Sequence, residues 1–334
     1  MPLVEASKLR RLAEHALEHT GVRPDHCVLQ VDLLMEAELR SVPSHGLLRL
    51  DRIIRRIKNG VVDPEATGSH NWRGTGFLAV DGQRGLGPVV ACSALDALKA
   101  RARENGIALA AIRNSNHIGM LGWYAERVAE EGFTIIALST SEALVHPWGA
   151  RKAMLGTNPI AIAVPTTGEP FMMDTATGLV SMGEIHDYAS RGQAIPPDWA
   201  LDADGNPTTD PDAAKKGAIA PFGQAKGYAL GLAFELIVSS LSGAAIGTEV
   251  RGTLDDTDVC NKGDVFIVID GPRRDLQVYL EEIRSLPPAA GFSNVLIPGE
   301  RGRACRARRL KEGIPISDEV WARLQALASS EAAA

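Results

Sequence analysis

What most constrains this chain is the alternation between Trp72 and Thr177. Short apolar runs, "GFLAVDG", "IALAAIRN", "FTIIALST", "IAIAVPT" and "PFMMDTAT", are divided by glycine and turn residues. The helical stretches "VVACSALDALKARAREN" and "MLGWYAERVAEE" lie between the early ones. Strands separated by helices require a layered α/β core, because each apolar strand face must be covered by another layer. The later strands follow one another without room for a crossover helix, so the sheet is expected to be partly antiparallel.

The ends of the chain read differently. Leu3 to His19 repeats apolar residues at helical spacing, "RPDHCVLQVDLLMEAELR" continues with a second amphipathic pattern, and Leu47 to Lys58 gives a third, stopping at Asn59-Gly60. A long apolar helix is expected from Gly227 to Ser240, then the strand "VFIVID" and the amphipathic "RDLQVYLEEIRSL" and "DEVWARLQALASS". Helical ends around a strand-rich middle suggest that the two termini build one layer together. Pro196 to Ala214, rich in Pro, Asp and Gly, reads as mostly loop, and no internal repeat is visible.

Composition narrows the function classes. A formal charge of -6, from 35 basic and 41 acidic residues, offers no basic excess for nucleic acid or an anionic membrane; the local cluster Arg301 to Lys311 is the exception. No apolar run approaches the roughly 18 residues of a membrane helix, and the first residues carry charges in place of a signal-like apolar core. Cys27, Cys92, Cys260 and Cys305 have no metal-like or disulfide-like spacing, so no metal site and a reduced, cytoplasmic protein are expected.

Glycine patterns raise the question of a nucleotide fold. "GTGFLA" (Gly74, Gly76) leads into a strand, the wrong order for a Rossmann fingerprint, and "GLGPVV" (Gly85, Gly87) lacks the third glycine and a strand-borne acid at the right distance. Other signals sit at element boundaries. In "VPSHGLLRL", a helix beginning near Ser44 or His45 puts His45 and Arg49 on one face, a proton carrier beside a fixed cation; alternatively Ser44 is an N-cap and Arg49 a solvated charge. His117 stands at the end of a strand, where α/β folds place chemistry, or is the first exposed residue of a helix capped by Asn114, Ser115 or Asn116. "MMDTAT" ends a strand with Asp174, Thr175 and Thr177. Lys226 and Gly227 precede the long apolar helix, and "IPGERGR" offers Gly299 with Arg301; both suit an anion.

Taken in order, "SHGLLRL", "RNSNHIGMLGWYAE", "HPWGARKAMLGTNPIAIAVP", "DTAT", "WALDADGNPTTDP", "KGYALGLAFELIVSSLSGA", "VFIVID" and "IPGERGR…GIPI" resemble the malate/L-lactate dehydrogenase family over roughly residues 5 to 318. That family includes ureidoglycolate and sulfolactate dehydrogenases, diketogulonate reductase and Δ1-piperideine-2-carboxylate reductase. The resemblance implies a non-Rossmann, three-layer α/β/α fold with a mixed sheet. It also implies a helical substrate and dimerisation domain from residues 1–72 with 272–334, an NAD(P)-binding domain over 73–271, and a homodimer.

It further implies NADH or NADPH as cofactor and a small-molecule carboxylate as substrate. His45 would be the proton donor or acceptor, with Ser44 and Asp174 as relay partners, and Arg49 and His117 would contact substrate. Cofactor contacts would fall on Met172, Met173, Asp174, Thr175, Ala176 and Thr177, on Lys226 and Gly227, and on Gly299, Glu300 and Arg301. The chemistry agrees: reducing a 2-oxo acid needs a hydride and a proton, and an ordinary histidine, with a pKa of about 6.5, supplies the proton near neutrality.

The chain departs from the family pattern after "DTAT", where "GLVSMGEIHDY" has Met182 and Glu184 in place of small residues and a cation. That leaves the choice between NADH and NADPH open. His146 in "VHPWGA" is also unusual. A reductase of cyclic or N-methyl 2-imino acids on the same fold is the alternative, and a non-catalytic binding protein the remote one.

Overall fold

The computed structural model describes residues 1–272 and 274–329. The chain begins with β1 (Leu3–Val4), α1 (Ala6–Glu18) and α2 (Pro24–Leu39), with Pro24 in the first turn of α2, where its missing N–H is no loss. Two 3-10 turns, Pro43–His45 and Leu47–Arg49, lead into α3 (Leu50–Lys58). The hairpin β2 (Ser69–Arg73) and β3 (Phe77–Asp81) is followed by α4 (Gly87–Asn105), β4 (Ile107–Arg113), α5 (Leu121–Glu130) and β5 (Thr134–Ser139). Next come β6 (Ile160–Val164), β7 (Phe171–Thr175) and α6 (Met182–Ser190). A loop-rich stretch then holds β8 (Ala200–Leu201), α7 (Pro211–Ala214) and β9 (Ala218–Ile219). The long helix α8 (Ala225–Ser242) precedes β10 (Asp264–Ile269), α9 (Gln277–Arg284), α10 (Glu300–Glu312), β11 (Ile314–Pro315) and α11 (Asp318–Ser329).

Seven strands form the central sheet in the order β2-β3-β4-β10-β5-β6-β7. Only β3 and β4, joined through α4, run parallel, with Phe77 opposite Leu109; the other pairs are antiparallel. A mostly antiparallel sheet excludes the Rossmann arrangement, which needs successive parallel strands around a switch point.

Two-residue periodicity decides which layer each strand residue meets. In β4, Ala108, Ala110 and Ile112 join α4 and α5 in one core, while Leu109 and Ala111 point to the opposite face. In β10, Phe266 and Val268 take the first side, and Val265 and Ile267 the second, where Val238 and Phe234 of α8 cover them. The result is the expected three-layer α/β/α fold with a mixed sheet. Among the described residues no helix is long and apolar enough to cross a membrane.

The ends of the chain do come together. β1 pairs antiparallel with β11, Leu3 opposite Pro315, and one core joins Leu9, Ala13 and Leu17 of α1 to Leu34 of α2, Ile54 of α3 and Leu324 of α11. On α2, Leu33 belongs to the sheet core and Leu34 to the terminal one, so this helix stitches the two.

Some elements differ from the expectation. The helix from Leu47 to Lys58 is a 3-10 turn and a shorter α-helix, and α8 starts earlier than Gly227. β2 is a mostly exposed edge strand, "SHNWR", without apolar alternation to reveal it; its Trp72 is covered by the Arg101 guanidinium, 4.5 Å from the ring. α10 buries no residue, so it has no apolar stripe to read. It is held by charge: Arg303 meets Glu126 at 3.0 Å and Arg306 meets Glu36 at 2.8 Å. Much of the basic cluster is thereby engaged within the fold.

Candidate active site

His45 closes the first 3-10 turn, and Gly46 (φ -92°, ψ -150°) breaks the helical path before Arg49. A continuous helix face therefore does not bring His45 and Arg49 together. The chain folds back instead: Arg49 Nε donates to the Ser44 carbonyl at 2.7 Å and Nη1 to the Thr253 carbonyl at 3.3 Å. Ser44 makes no capping hydrogen bond with its side chain. Glu38 of α2 anchors the turn by accepting the Leu47 N–H at 2.8 Å, and a Cβ added at Gly46 would sit 2.2 Å from that carboxylate oxygen. Burial pushes the Glu38 carboxyl up to about 7.

His117 lies in the hinge between β4 and α5. Neither Asn114, Ser115 nor Asn116 caps that helix, whose N-cap is Met120. Asn116 instead donates to the carbonyls of Arg84 (2.7 Å) and Gly85 (2.9 Å) and accepts from Arg56 Nη2 at 3.0 Å. The Gly119 N–H donates to His117 Nδ1 at 3.1 Å, which places the ring proton of the neutral imidazole on Nε2. Gly119 has φ +66°, and a Cβ there would meet Leu33 at 2.5 Å, so only glycine closes this loop.

The two histidine rings stack, centroids 5.2 Å apart and 16° from parallel. Burial, then the charge of Arg49, lowers His45 to about 4, and the same causes hold His117 well below the ordinary range. The sequence expectation of an ordinary histidine pKa is corrected here. Burial first, then the neighbouring Arg52, also lowers Arg49 to about 10.

Arg49 and His117 line one pocket with about 380 Å³ of empty space, shared with Gln30, Arg52, Arg56 and Thr253. Two residues that the motifs did not single out shape its wall. Glu142 accepts from Thr253 N (2.8 Å), Thr253 Oγ1 (2.9 Å) and Leu254 N (2.8 Å), and buried Arg56 donates to the carbonyls of Asp255 and Asp258, both at 3.0 Å. Arg49, Arg52 and Arg56 recur at helical spacing in "RLDRIIRR", a signal available in the sequence but used only for Arg49. Lys262 and Asp264, a fully buried ion pair joined by Ser139 Oγ at 2.7 Å, directly precede "VFIVID" and were not singled out.

The implied Ser44–His45–Asp174 relay is not joined by hydrogen bonds. Asp174 accepts the Gly122 N–H at 2.6 Å, and the buried Nδ1 of His45 has no partner. Although Asp174 is exposed at the end of β7, the protein packed around its carboxyl raises it to about 6 against the opposing pull of the Gly122 N–H. His146 lies elsewhere, buried, its Nδ1 2.9 Å from the Pro147 carbonyl oxygen.

The three segments expected to hold a cofactor converge on the end of β7. On one side, a Cβ at Gly299 would sit 2.8 Å from the Met172 carbonyl oxygen; on the other, one at Gly231 would sit 2.8 Å from Thr177 Oγ1. Gly227 is buried with its backbone against the Phe222 carbonyl, where a Cβ would be 1.9 Å away, so only glycine lets the chain turn tightly into α8. Thr175, Ala176, Lys226 and Arg301 are exposed, Met173 is half-buried, and Met172 is buried. The Glu300 carboxylate is engaged by the Ile297 N–H (2.8 Å) and by Arg284, closing the loop ahead of α10. Met182 and Glu184 start α6, whose N-cap Ser181 accepts the Glu184 N–H at 3.1 Å. This S-x-x-E signature was legible and went unread. Among the described residues no group of three or more His, Cys, Asp or Glu is arranged to hold a metal ion.

Comparison with known proteins places the chain in a family. The family model for malate/L-lactate dehydrogenase matches residues 4–325. The L-sulfolactate dehydrogenase of Methanocaldococcus jannaschii is 34% identical over 324 residues, 95% of this chain and 93% of that protein. The Delta(1)-pyrroline-2-carboxylate reductase 1 of Burkholderia ambifaria is 33% identical over 330 residues, covering 96% and 95%. A crystal structure of a dehydrogenase from Sinorhizobium meliloti, 49% identical, superposes with a TM-score of 0.95 over 98% of both chains. The chain therefore belongs to the malate/L-lactate dehydrogenase family and is a dehydrogenase/reductase.

Proposed function

We propose that the protein moves a hydride between a nicotinamide cofactor, NADH or NADPH, and the second carbon of a small 2-oxo or 2-hydroxy acid of the malate, lactate, sulfolactate or ureidoglycolate kind. The observation that carries this reading is Arg49, bonded only to carbonyls, in one pocket with His117, on which His45 stacks. Arg49 grips the substrate carboxylate with its planar, two-pronged donor. His117, with its proton on Nε2, donates to the substrate oxygen. His45, held neutral, takes the hydroxyl proton on oxidation and returns it on reduction. The nicotinamide supplies or accepts the hydride. Ser44 acts by holding Arg49 through its carbonyl, and Asp174 is a cleft carboxyl that titrates in the working range.

The glycine-lined bed formed by Met172 to Thr177, Gly227 and Gly299 fits the cofactor, with Lys226 at the positive end of α8 and Arg301 at the start of α10 suited to its phosphates. In the division we favour, residues 73–271 carry most of the cofactor bed, with Gly299 and Arg301 completing it from the other unit, and residues 1–72 with 272–334 carry the acid/base turn; 273 and 330–334 lie outside the described residues. The terminal core shared by α1, α3 and α11 supports that division. The apolar outer face of α8, where Leu230, Leu236 and Ile237 are 43%, 53% and 43% exposed, suits the interface of a homodimer. The cytoplasm, which keeps thiols reduced, fits the four free cysteines.

One observation favours a second reading. Both histidines are held neutral, and an iminium ion already carries the proton that a ketone must receive, so a 2-imino acid would suit this pocket too. The test is oxidation of NADH and NADPH against 2-oxo acids, with and without methylamine, and against cyclic imines. Turnover of oxo acids alone establishes the hydroxy-acid enzyme; turnover only of imines, or only with amine present, replaces it with the imine reductase.

A further inference from the structure

The pocket at His117 is lined by three arginines, Arg49, Arg52 and Arg56, and by no carboxylate. The other arginines of α3 are already matched, and its Lys58 lies outside the pocket lining. Arg55 pairs with Asp51 at 3.4 Å and Asp256 at 3.0 Å. Arg56 reaches Asp255 at 3.7 Å and is saturated by Asn116 and two carbonyls. Glu142, the remaining acid near Arg49, has the same oxygen engaged by two backbone N–H groups and the Thr253 hydroxyl. Asp51 is shared with Arg323 at 3.5 Å. Arg52 alone among these has no hydrogen bond and no ion pair with any described residue, although it is half-buried in the pocket wall. It stands three residues after Arg49, one helical turn on, a rise of about 4.5 Å along the axis.

A half-buried, unpaired guanidinium beside a second cation is costly unless a ligand neutralises it. One carboxylate, the one that Arg49 takes in the reading proposed above, leaves Arg52 uncompensated. We infer that Arg52 is a specificity-determining residue that binds a second anionic group on the substrate. The preferred substrates are then 2-oxo and 2-hydroxy acids with a carboxylate or sulfonate at the far end of a short carbon chain. This rests on the hydride-transfer reading and deepens it, since that reading by itself leaves monoanionic and dianionic acids equal. Arg56 cannot serve in its place, because its donors already hold the 252–258 loop and the His117 hinge.

The experiment compares oxaloacetate and sulfopyruvate, dianions with a carboxylate and a sulfonate, with pyruvate and 2-oxobutyrate, using wild type, Arg52→Gln and Arg52→Lys. Thermal melts of all three establish that the variants are folded. For wild type, kcat/KM should favour at least one dianion over both monoanions. In Arg52→Gln the dianion-to-monoanion ratio should fall by roughly 10- to 100-fold, the worth of a charge-assisted hydrogen bond, mainly through KM, and Arg52→Lys should recover part of it. A ratio unchanged by Arg52→Gln, or a wild type that prefers monoanions, overturns the second anion site while leaving the hydride-transfer reading intact. A wild type that turns over imines and no oxo acid overturns that reading and the site with it. Which dianion wins tells carboxylate from sulfonate.

Discussion

At the scale of single residues, "SHGLLRL" marked His45 and Arg49 as candidates, and the acid/base role proposed for His45 came from the family resemblance; the electrostatic state of the ring was not legible. Desolvation and the Arg49 charge, both products of folding, set the His45 value. His45→Ala should lower kcat by about 10²- to 10⁴-fold, the usual worth of a positioned acid/base, with cofactor affinity by fluorescence titration nearly unchanged. Wild-type turnover in that variant would remove His45 from the proton path. The depressed value also fixes a sign. The base form is the neutral ring, which protonates only near about 4, so kcat/KM for hydroxy-acid oxidation should show no acid limb from this residue near 6.5. A limb at the ordinary value that vanishes in His45→Ala would show that the ring is not held neutral. Arg49→Ala should raise KM for the acid roughly 10²-fold, and Arg49→Lys should restore little, since an ammonium lacks the two-pronged fork. An unchanged KM would take Arg49 out of the carboxylate site.

At the scale of elements, legibility followed periodicity. β4, α4 and α5 were readable because one face of each is apolar, whereas β2 and α10 were not, because exposed or charge-paired side chains leave no repeat. The 3-10 turn bearing His45 was read as the start of a helix because Gly46 and the Glu38 carboxylate, which bend it, act across α2. Glu38 gives that turn a pH signature. A carboxyl raised on folding from 4.5 to about 7 favours the folded state fully below 4.5, an advantage lost as pH climbs through about 7. Glu38→Gln keeps the acceptor for the Leu47 N–H but cannot ionise. Its Tm relative to wild type should therefore rise between pH 5 and pH 8, by the equivalent of about 2.5 kcal/mol at most. A Tm difference independent of pH would show that the carboxyl is not shifted.

At the scale of the whole molecule, the joined termini and a layered, partly antiparallel α/β sheet followed from the order of elements and the three layers from the family resemblance, but the strand order followed from neither. β10 inserts between β4 and β5 from more than a hundred residues away, and no local pattern announces that pairing. The exposed apolar face of α8 belongs to this scale as well. Leu236→Asp should halve the mass seen by light scattering if two copies bury that face, and an unchanged mass would move the interface elsewhere. By itself, the sequence determined the α/β class, the helical ends and the residue types present at each boundary, because periodicity, turn chemistry and side-chain identity are local. Only the tertiary structure decided that His45 and His117 stack, that Asp174 serves the Gly122 N–H, and that Arg52 is left without a partner. Burial and charge balance arise between segments remote along the chain, and no stretch read alone contains them.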